Sequence, residues 1–211
     1  MIKNSEASPW RQARRRSARD LIVAAAWALA REEGLAGWSL RDLARRAGIS
    51  TPTVYAYFAA KNAIYDAMFG EAAAEFEDQM AEPFDSEEPR RVLATAARRY
   101  ADFCLSDLVR YQLLFQRTLP GFEPSPESYA PAVRALAGLR RILALNGITG
   151  ARHVDLWTAL FSGLVSQQVS NDPGGERWTR LIEESTAMLL EHCRAAAARE
   201  PDPDRAERAL P

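Results

Sequence analysis

Residues 39–61, SLRDLARRAGISTPTVYAYFAAK, constrain this chain more than any other stretch, because they prescribe two short helices and the turn between them. Leu40, Leu43, Ala44 and Ala47 recur at i, i+3, i+4 and i+7, which predicts a helix over Leu40–Ala47 with one apolar face. Ser39 is placed to N-cap it, and Asp42 three residues later completes a capping box. Gly48 stands where the helix must stop and the backbone turns left-handed. Ile49 is the apolar pin between the two helices. Ser50 or Thr51 caps the second helix, Thr51–Phe58, and Pro52 falls in its first turn, where a missing N–H costs nothing. That helix is too short, and too polar on one face, to be a core element. It offers Thr51, Thr53, Tyr55 and Tyr57 to phosphates or base edges, the arrangement of a helix-turn-helix whose second helix enters the major groove.

The run AGISTPTVYAYFAAKNAI, in which Tyr55-Ala56-Tyr57-Phe58 closes the reading helix and Lys61 opens the next, resembles the DNA-binding domain of the TetR family of transcriptional regulators. The resemblance covers roughly residues 15–70; beyond them only architecture corresponds. It implies an all-α chain of about nine helices, with a three-helix reading domain over 11–61, a connecting helix over 62–82 and a larger effector-binding and dimerisation domain over 83–199. Residue by residue, it implies that Thr51, Pro52, Thr53 and Tyr55 approach bases and thymine methyls, that Tyr57, Lys61 and Ser39 hold phosphates, and that Ser50 belongs to the same DNA-binding set. Arg41 has the reach for a bidentate contact to guanine O6 and N7. Thr51 reads equally as a cap, Val54 and Phe58 read as core, and Arg45 and Arg46 as solvated charge. Ala56 is small where relatives can carry a larger contact side chain, which removes one phosphate contact.

Charge supports a head that faces nucleic acid. Eleven of the 27 Lys and Arg but only five of the 28 Asp and Glu fall in residues 1–61. That segment is therefore net +6 and the remainder −7, beneath an overall −1. Arg11, Arg14, Arg15, Arg16 and Arg19 read as phosphate-neutralising arginines or as a solvated helix start. Cys104 and Cys193 have no redox or metal-ligand spacing and read as buried or half-buried free thiols. Neither a membrane span nor a signal peptide is indicated, so the expected location is the cytoplasm.

Along the chain, residues 1–10 and 200–211 read as disordered. Leu21, Ala25, Ala28 and Leu29 predict the apolar stripe of the first helix, Gly34 its end, and Trp38 a core residue. A long helix to about Met80 shows Ile64, Met68, Ala72 and Phe76 on one face, with Gly70 a weak point costing about 1 kcal/mol relative to Ala. Further helices are expected over Arg90–Ser106, Asp107–Arg117, Pro131–Leu145 and Gly150–Ser170. A last helix is expected after Gly175 to about Ala198, with no strand.

The resemblance also implies a small hydrophobic effector held among the body's helices. Tyr100, Phe103, Tyr111, Phe115, Trp157 and Phe161 are candidates to line its pocket, with plain core packing as the other reading. The last two helices, paired with a second copy in a four-helix bundle, would place Leu160, Leu164, Leu181, Ser185, Met188 and Leu189 at a homodimer interface, and two heads on a two-fold axis suit a palindromic operator. No catalytic residue, cofactor or metal is expected: HExxH, CxxC and Gly-rich phosphate loops do not occur. The function expected is a ligand-responsive dimeric repressor. The alternatives are an activator, or a helical module that binds a small molecule or protein and has no operator.

Overall fold

The computed structural model describes residues 9–197, and side chains from 15 to 196. Among these residues the fold is all-helical: α1 (Pro9–Glu33), α2 (Leu40–Arg46), α3 (Thr51–Tyr57), α4 (Lys61–Ala81), α5 (Pro89–Ser106), α6 (Leu108–Phe115), α7 (Pro126–Leu145), α8 (Ala151–Asn171) and α9 (Ile182–Ala197). Pro9 and Trp10 open α1; the rest of the two expected disordered tails lies outside the described residues, and so do the side chains of Arg11 and Arg14. No described helix is long and apolar enough to cross a membrane.

The chain divides into two compact units, each built from separate stretches of the sequence. Among the described residues, one comprises 9–75 together with 107–132; the other comprises 76–106 and 133–197. The reason is packing by side chains distant in sequence. Leu113 and Leu119 join the same buried core as Ile22, Trp27, Leu43, Val54, Phe58, Ile64 and Met68. Asp107 caps α6 by accepting from the amides of Val109 and Arg110, and its other oxygen takes a two-pronged hydrogen bond from Arg31 at 2.9 and 2.7 Å.

The stripe of α1 is displaced by one residue from the expected one. Leu29 is buried as expected and Ala25 packs against the core, but Leu21 is 67% exposed, while Ile22, Val23, Ala26, Trp27 and Ala30 are buried. Both registers contain apolar residues at helical spacing, and only the position of the neighbouring helices separates them. On α4 the expected face is buried through Ala72, widened by Tyr65, Phe69 and Ala73, whereas Phe76 belongs to the other unit. There Phe76 packs its ring against Phe103 (centroids 5.0 Å) and Tyr100 (6.2 Å).

In that second unit α5, α8 and α9 pack on one another, burying Leu93, Phe103, Phe161, Ile182 and Leu190. Gln168, only 1% exposed, organises the break after α8: its side chain donates to Gly175 O at 3.0 Å and accepts from the Trp178 amide at 2.9 Å. The last α-helix therefore begins at Ile182, after a 3-10 turn over Thr179–Leu181, later than its sequence suggests. Cys104 and Cys193 are buried free thiols, and burial pushes Cys104 up to about 12.

Pro131 does not start α7; it lies inside it. The helix begins five residues earlier because Ser125 caps it through the Ser128 amide (3.2 Å) and Pro126 takes the first helical position. Asp66 of α4 anchors this start, accepting from the Ser125 amide (2.6 Å), the Ser125 hydroxyl (3.0 Å) and the Ser128 hydroxyl (2.9 Å). Gly70, one turn along α4, makes room for it: a Cβ there would stand 3.1 Å from Ser128 Oγ. The glycine that reads as a flaw in the sequence is thus the site of close approach. Gly138 in α7 is different, its Cβ meeting only the end of Arg141 at 3.7 Å. Thermal unfolding should show Gly138→Ala gaining about 0.5–1 kcal/mol from helix propensity, and Gly70→Ala gaining nothing or losing stability.

Candidate nucleic-acid interface

The two short helices are fixed by the residues the sequence singles out for that purpose. Ser39 caps α2, its hydroxyl accepting from the Asp42 amide at 3.3 Å, while Asp42 Oδ2 accepts from the Ser39 amide at 3.0 Å and hydroxyl at 2.6 Å. Gly48 turns the chain at φ +67, and the Ile49 amide bonds back to Ala44 O. Ser50 caps α3 through the Thr53 amide at 3.2 Å and meets the Thr53 hydroxyl at 2.8 Å. Val54 and Phe58 are buried, so α3 is nailed down along one side. Pro52, Ala56 and Tyr55 face outward, with Tyr55 53% exposed; Thr51, Thr53 and Tyr57 are half-buried at the margins. An aromatic ring half in solvent on a seven-residue helix has no packing duty that explains it.

The arginines nearby are not equivalent. Arg45 pairs with Asp42 at 2.8 Å, and Arg46 forks onto Glu32. Hydrogen bonds from Ser39, first from its hydroxyl and then from its amide, hold the Asp42 carboxyl below its usual range, and the Arg46 bond does the same for Glu32. Arg45 and Arg46 thus each keep a carboxylate beside them at the surface. Arg41 is exposed and has no ion-pair partner among the described residues. Arg19 ties α1 to the end of α3, donating to Tyr57 O at 3.1 Å with its guanidinium 4.2 Å from the Phe58 ring centroid.

Lys61, expected to hold a phosphate, has a second occupation. Its ammonium donates to Trp38 O at 2.5 Å and to Ala36 O at 3.4 Å and sits 4.1 Å from the Trp38 ring centroid. Desolvation there lowers its pKa. Tyr65, one turn on, donates its hydroxyl to Leu35 O and meets Trp38 edge-on at 5.4 Å; burial pushes its phenol up to about 12. Tyr65 escapes a reading by periodicity alone because it flanks the Ile64 stripe rather than lying on it. Its signal was chemical, since a buried phenol must find an acceptor.

The expected effector residues fall in different surroundings. In the second unit Tyr100, Trp157 and Phe161 form a packed run, with centroids 6.0 and 4.8 Å apart, and Tyr100 OH lies 3.0 Å from Ser162 Oγ. Phe103 joins them through Phe76. Tyr111 and Phe115 lie in the first unit, 6.1 Å apart. None of the six lines the cavity of about 450 Å3 in the first unit, whose walls include Phe69, Leu114, Phe122 and Tyr129. Of the residues expected at a dimer interface, Ser185 and Leu189 are covered within the chain, Leu160, Leu164 and Leu181 are half-buried, and Met188 is 56% exposed.

The family model described as bacterial regulatory proteins, tetR family, matches residues 22–68, which span the last part of α1 through the first turns of α4. No curated protein matches the chain. Solved structures share the fold. The regulatory protein SCO4313 is 21% identical with a TM-score of 0.69, over 85% of this chain and 98% of that one. The transcriptional regulator FadR from Bacillus subtilis, in complex with stearoyl-CoA, is 19% identical with a TM-score of 0.60, over 81% and 97%. A TetR variant from Acinetobacter baumannii AYE, in complex with minocycline, is 22% identical with a TM-score of 0.57, over 83% and 95%.

Two outcomes follow from the geometry of the head. Lys61→Met should cost about 1–2 kcal/mol in denaturant unfolding even without DNA, because Trp38 O loses a charged donor. The capping box of α2 contributes stability that is present above the unfolded pKa of Asp42 and lost as pH falls through its lowered folded value. An acid titration of Asp42→Asn should therefore show a flatter acid limb than the parent.

Proposed function

We propose that this chain, whose residues 22–68 match the family model of tetR regulatory proteins, is a ligand-responsive repressor that binds a palindromic operator as a homodimer. The proposal divides the chain into a reading domain over 11–61, a connecting helix over 62–82 and an effector-binding and dimerisation domain over 83–199. The observation that carries it is the outer face of α3. Pro52, Tyr55 and Ala56 stand out from a helix capped at Ser50 and anchored by Val54 and Phe58, which is a rigid, shallow surface fit for a groove. Thr51, Thr53 and Tyr57 border this face, and Ser39 and Arg41 begin the preceding helix beside it in sequence.

Each residue has a role that its surroundings support. Tyr55 and Thr53 touch bases or thymine methyls, and Arg41, free of an acidic partner among the described residues, reads a guanine. Ser39 and Ser50 already spend their hydroxyls on caps, so their share of DNA contact is mainly to fix the register of the two helices. Lys61 keeps a third N–H beyond its two carbonyl acceptors, which leaves it able to touch a phosphate while bracing the turn.

Dimerisation through α8 and α9 is supported by apolar groups that the chain itself does not cover, Met188 foremost and then Leu160, Leu164 and Leu181. Ser185 and Leu189 back that surface from within. A ligand that favours one conformer of the dimer weakens operator binding only as far as it prefers that conformer. FadR in complex with stearoyl-CoA and the TetR variant in complex with minocycline share this fold, which supports a small-molecule effector here.

Selection from random DNA with the purified chain should enrich an inverted repeat. Arg41→Ala should lose discrimination at one position of each half-site by about 1–3 kcal/mol. Lys61→Met should bind all sequences more weakly, with a salt slope shallower by about one unit. Met188→Glu should shift the chain toward monomer in sedimentation. A folded chain that enriches no sequence would overturn the proposal.

A further inference from the structure

We propose that α3 recognises the C5-methyl group of pyrimidines and does not tell thymine from 5-methylcytosine, so that a cytosine methylated at C5 makes a site where plain cytosine does not. This recognition presupposes the DNA-binding regulator proposed above and names what its head reads. Few kinds of side chain tell base pairs apart by paired hydrogen bonds in the major groove: arginine or lysine for guanine, asparagine or glutamine for adenine, a carboxylate for cytosine. The sequence of α3, Thr51-Pro52-Thr53-Val54-Tyr55-Ala56-Tyr57, contains none of them. Pro52, Tyr55 and Ala56, at i, i+3 and i+4, form its outer face, while Val54 is buried. That face offers a pyrrolidine ring, an aromatic ring 53% exposed and a methyl group. Apolar surface of this kind finds one matching feature in the major groove, the methyl group on pyrimidine C5.

The polar groups around α3 add no preference between the two bases. Thr53 engages its hydroxyl with Ser50 Oγ at 2.8 Å, within the cap. Arg19 of α1 and Lys61 of α4 turn their charges to backbone carbonyls, Arg19 donating to Tyr57 O at 3.1 Å and Lys61 to Trp38 O at 2.5 Å. The guanine assigned to Arg41 is read from α2. A tyrosine hydroxyl both donates and accepts. The Tyr55 hydroxyl therefore suits the O4 acceptor of thymine and the N4 amino donor of 5-methylcytosine alike. The two bases carry their methyl group at the same ring position and differ in the groove at position 4 and in the partner purine. Burying one methyl group is worth about a fourfold change in affinity, and a symmetric pair of half-sites doubles the free energy.

The test uses the full chain and the inverted repeat enriched from random DNA. Each thymine of the half-site is replaced in turn, in both halves, by uracil, which lacks only the methyl group. Binding should weaken at least fivefold at one or more positions and stay unchanged for thymines outside the repeat. At the sensitive positions, a C·G pair in place of T·A should bind at least fivefold more weakly than the parent. The same pair with 5-methylcytosine should bind within twofold of the parent. Tyr55→Phe should keep the uracil effect, because the ring remains. Tyr55→Ala, at an exposed position that the core does not need, should reduce it below twofold at one position. A repeat whose half-sites hold no thymine, or uracil replacements without effect throughout, would overturn the reading of methyl groups. Methylated cytosine bound no better than cytosine would overturn its equivalence with thymine, and a uracil effect that Tyr55→Ala leaves whole at every position would overturn the assignment to α3. Each of these results leaves the regulator standing. A folded chain that enriches no sequence would overturn the regulator and this recognition with it.

Discussion

Lys61 and Tyr65, on the first turns of α4, both reach back to the turn between α1 and α2: one takes Trp38 O and the other Leu35 O. A turn of this kind exposes carbonyls that a helix would have satisfied, and burial makes leaving them unpaired costly. Trp38 fills the angle between the two donors and is itself only 2% exposed. Because the cap Ser39 is the next residue, the direction in which α2 starts depends on this grip. Through Gly48 and Ile49, so does the placing of α3.

The same device recurs wherever this fold brings distant segments together. A carboxylate or a guanidinium on one helix satisfies the loose end of another: Asp66 at the start of α7, Asp107 with Arg31 at the start of α6, Arg19 at the end of α3. These bonds do their work at helix ends because the orphan amides and carbonyls are there. They also explain why α6 and the following loop pack in the first unit despite lying far along the chain. The apolar contribution of Leu113 and Leu119 would allow many docked arrangements, and the capped ends select one.

A head assembled in this way is stiff on its inner side and open on its outer one. The arginines most prominent in the sequence after the turn, Arg45 and Arg46, are consumed by acidic neighbours, and the residues left facing outward are mostly uncharged. A surface of this kind suits recognition by shape and a few placed contacts rather than by a dense positive field.

Much of this was legible in residues 39–61 alone. Caps, the left-handed glycine and the 3.6-residue period are local rules, and Ser39, Gly48, Ser50 and Val54 stand where those rules put them. The number of helices and the all-α class follow from the same rules applied along the chain. What local rules do not contain is the identity of the neighbour. Two registers of α1 were equally apolar, so the exposure of Leu21 was decided by the helices around it. Pro131 reads as a breaker, but Ser125 and Pro126 start α7 ahead of it once Asp66 is in place. Gly70 looks like a weakness until Ser128 lies against it. The sequence by itself determined where helices begin and end and which few residues stand outward at the turn. Only the tertiary structure decided which face of each helix is covered, which charges are spent, and where a cavity remains, because those depend on groups that meet only after the chain has folded.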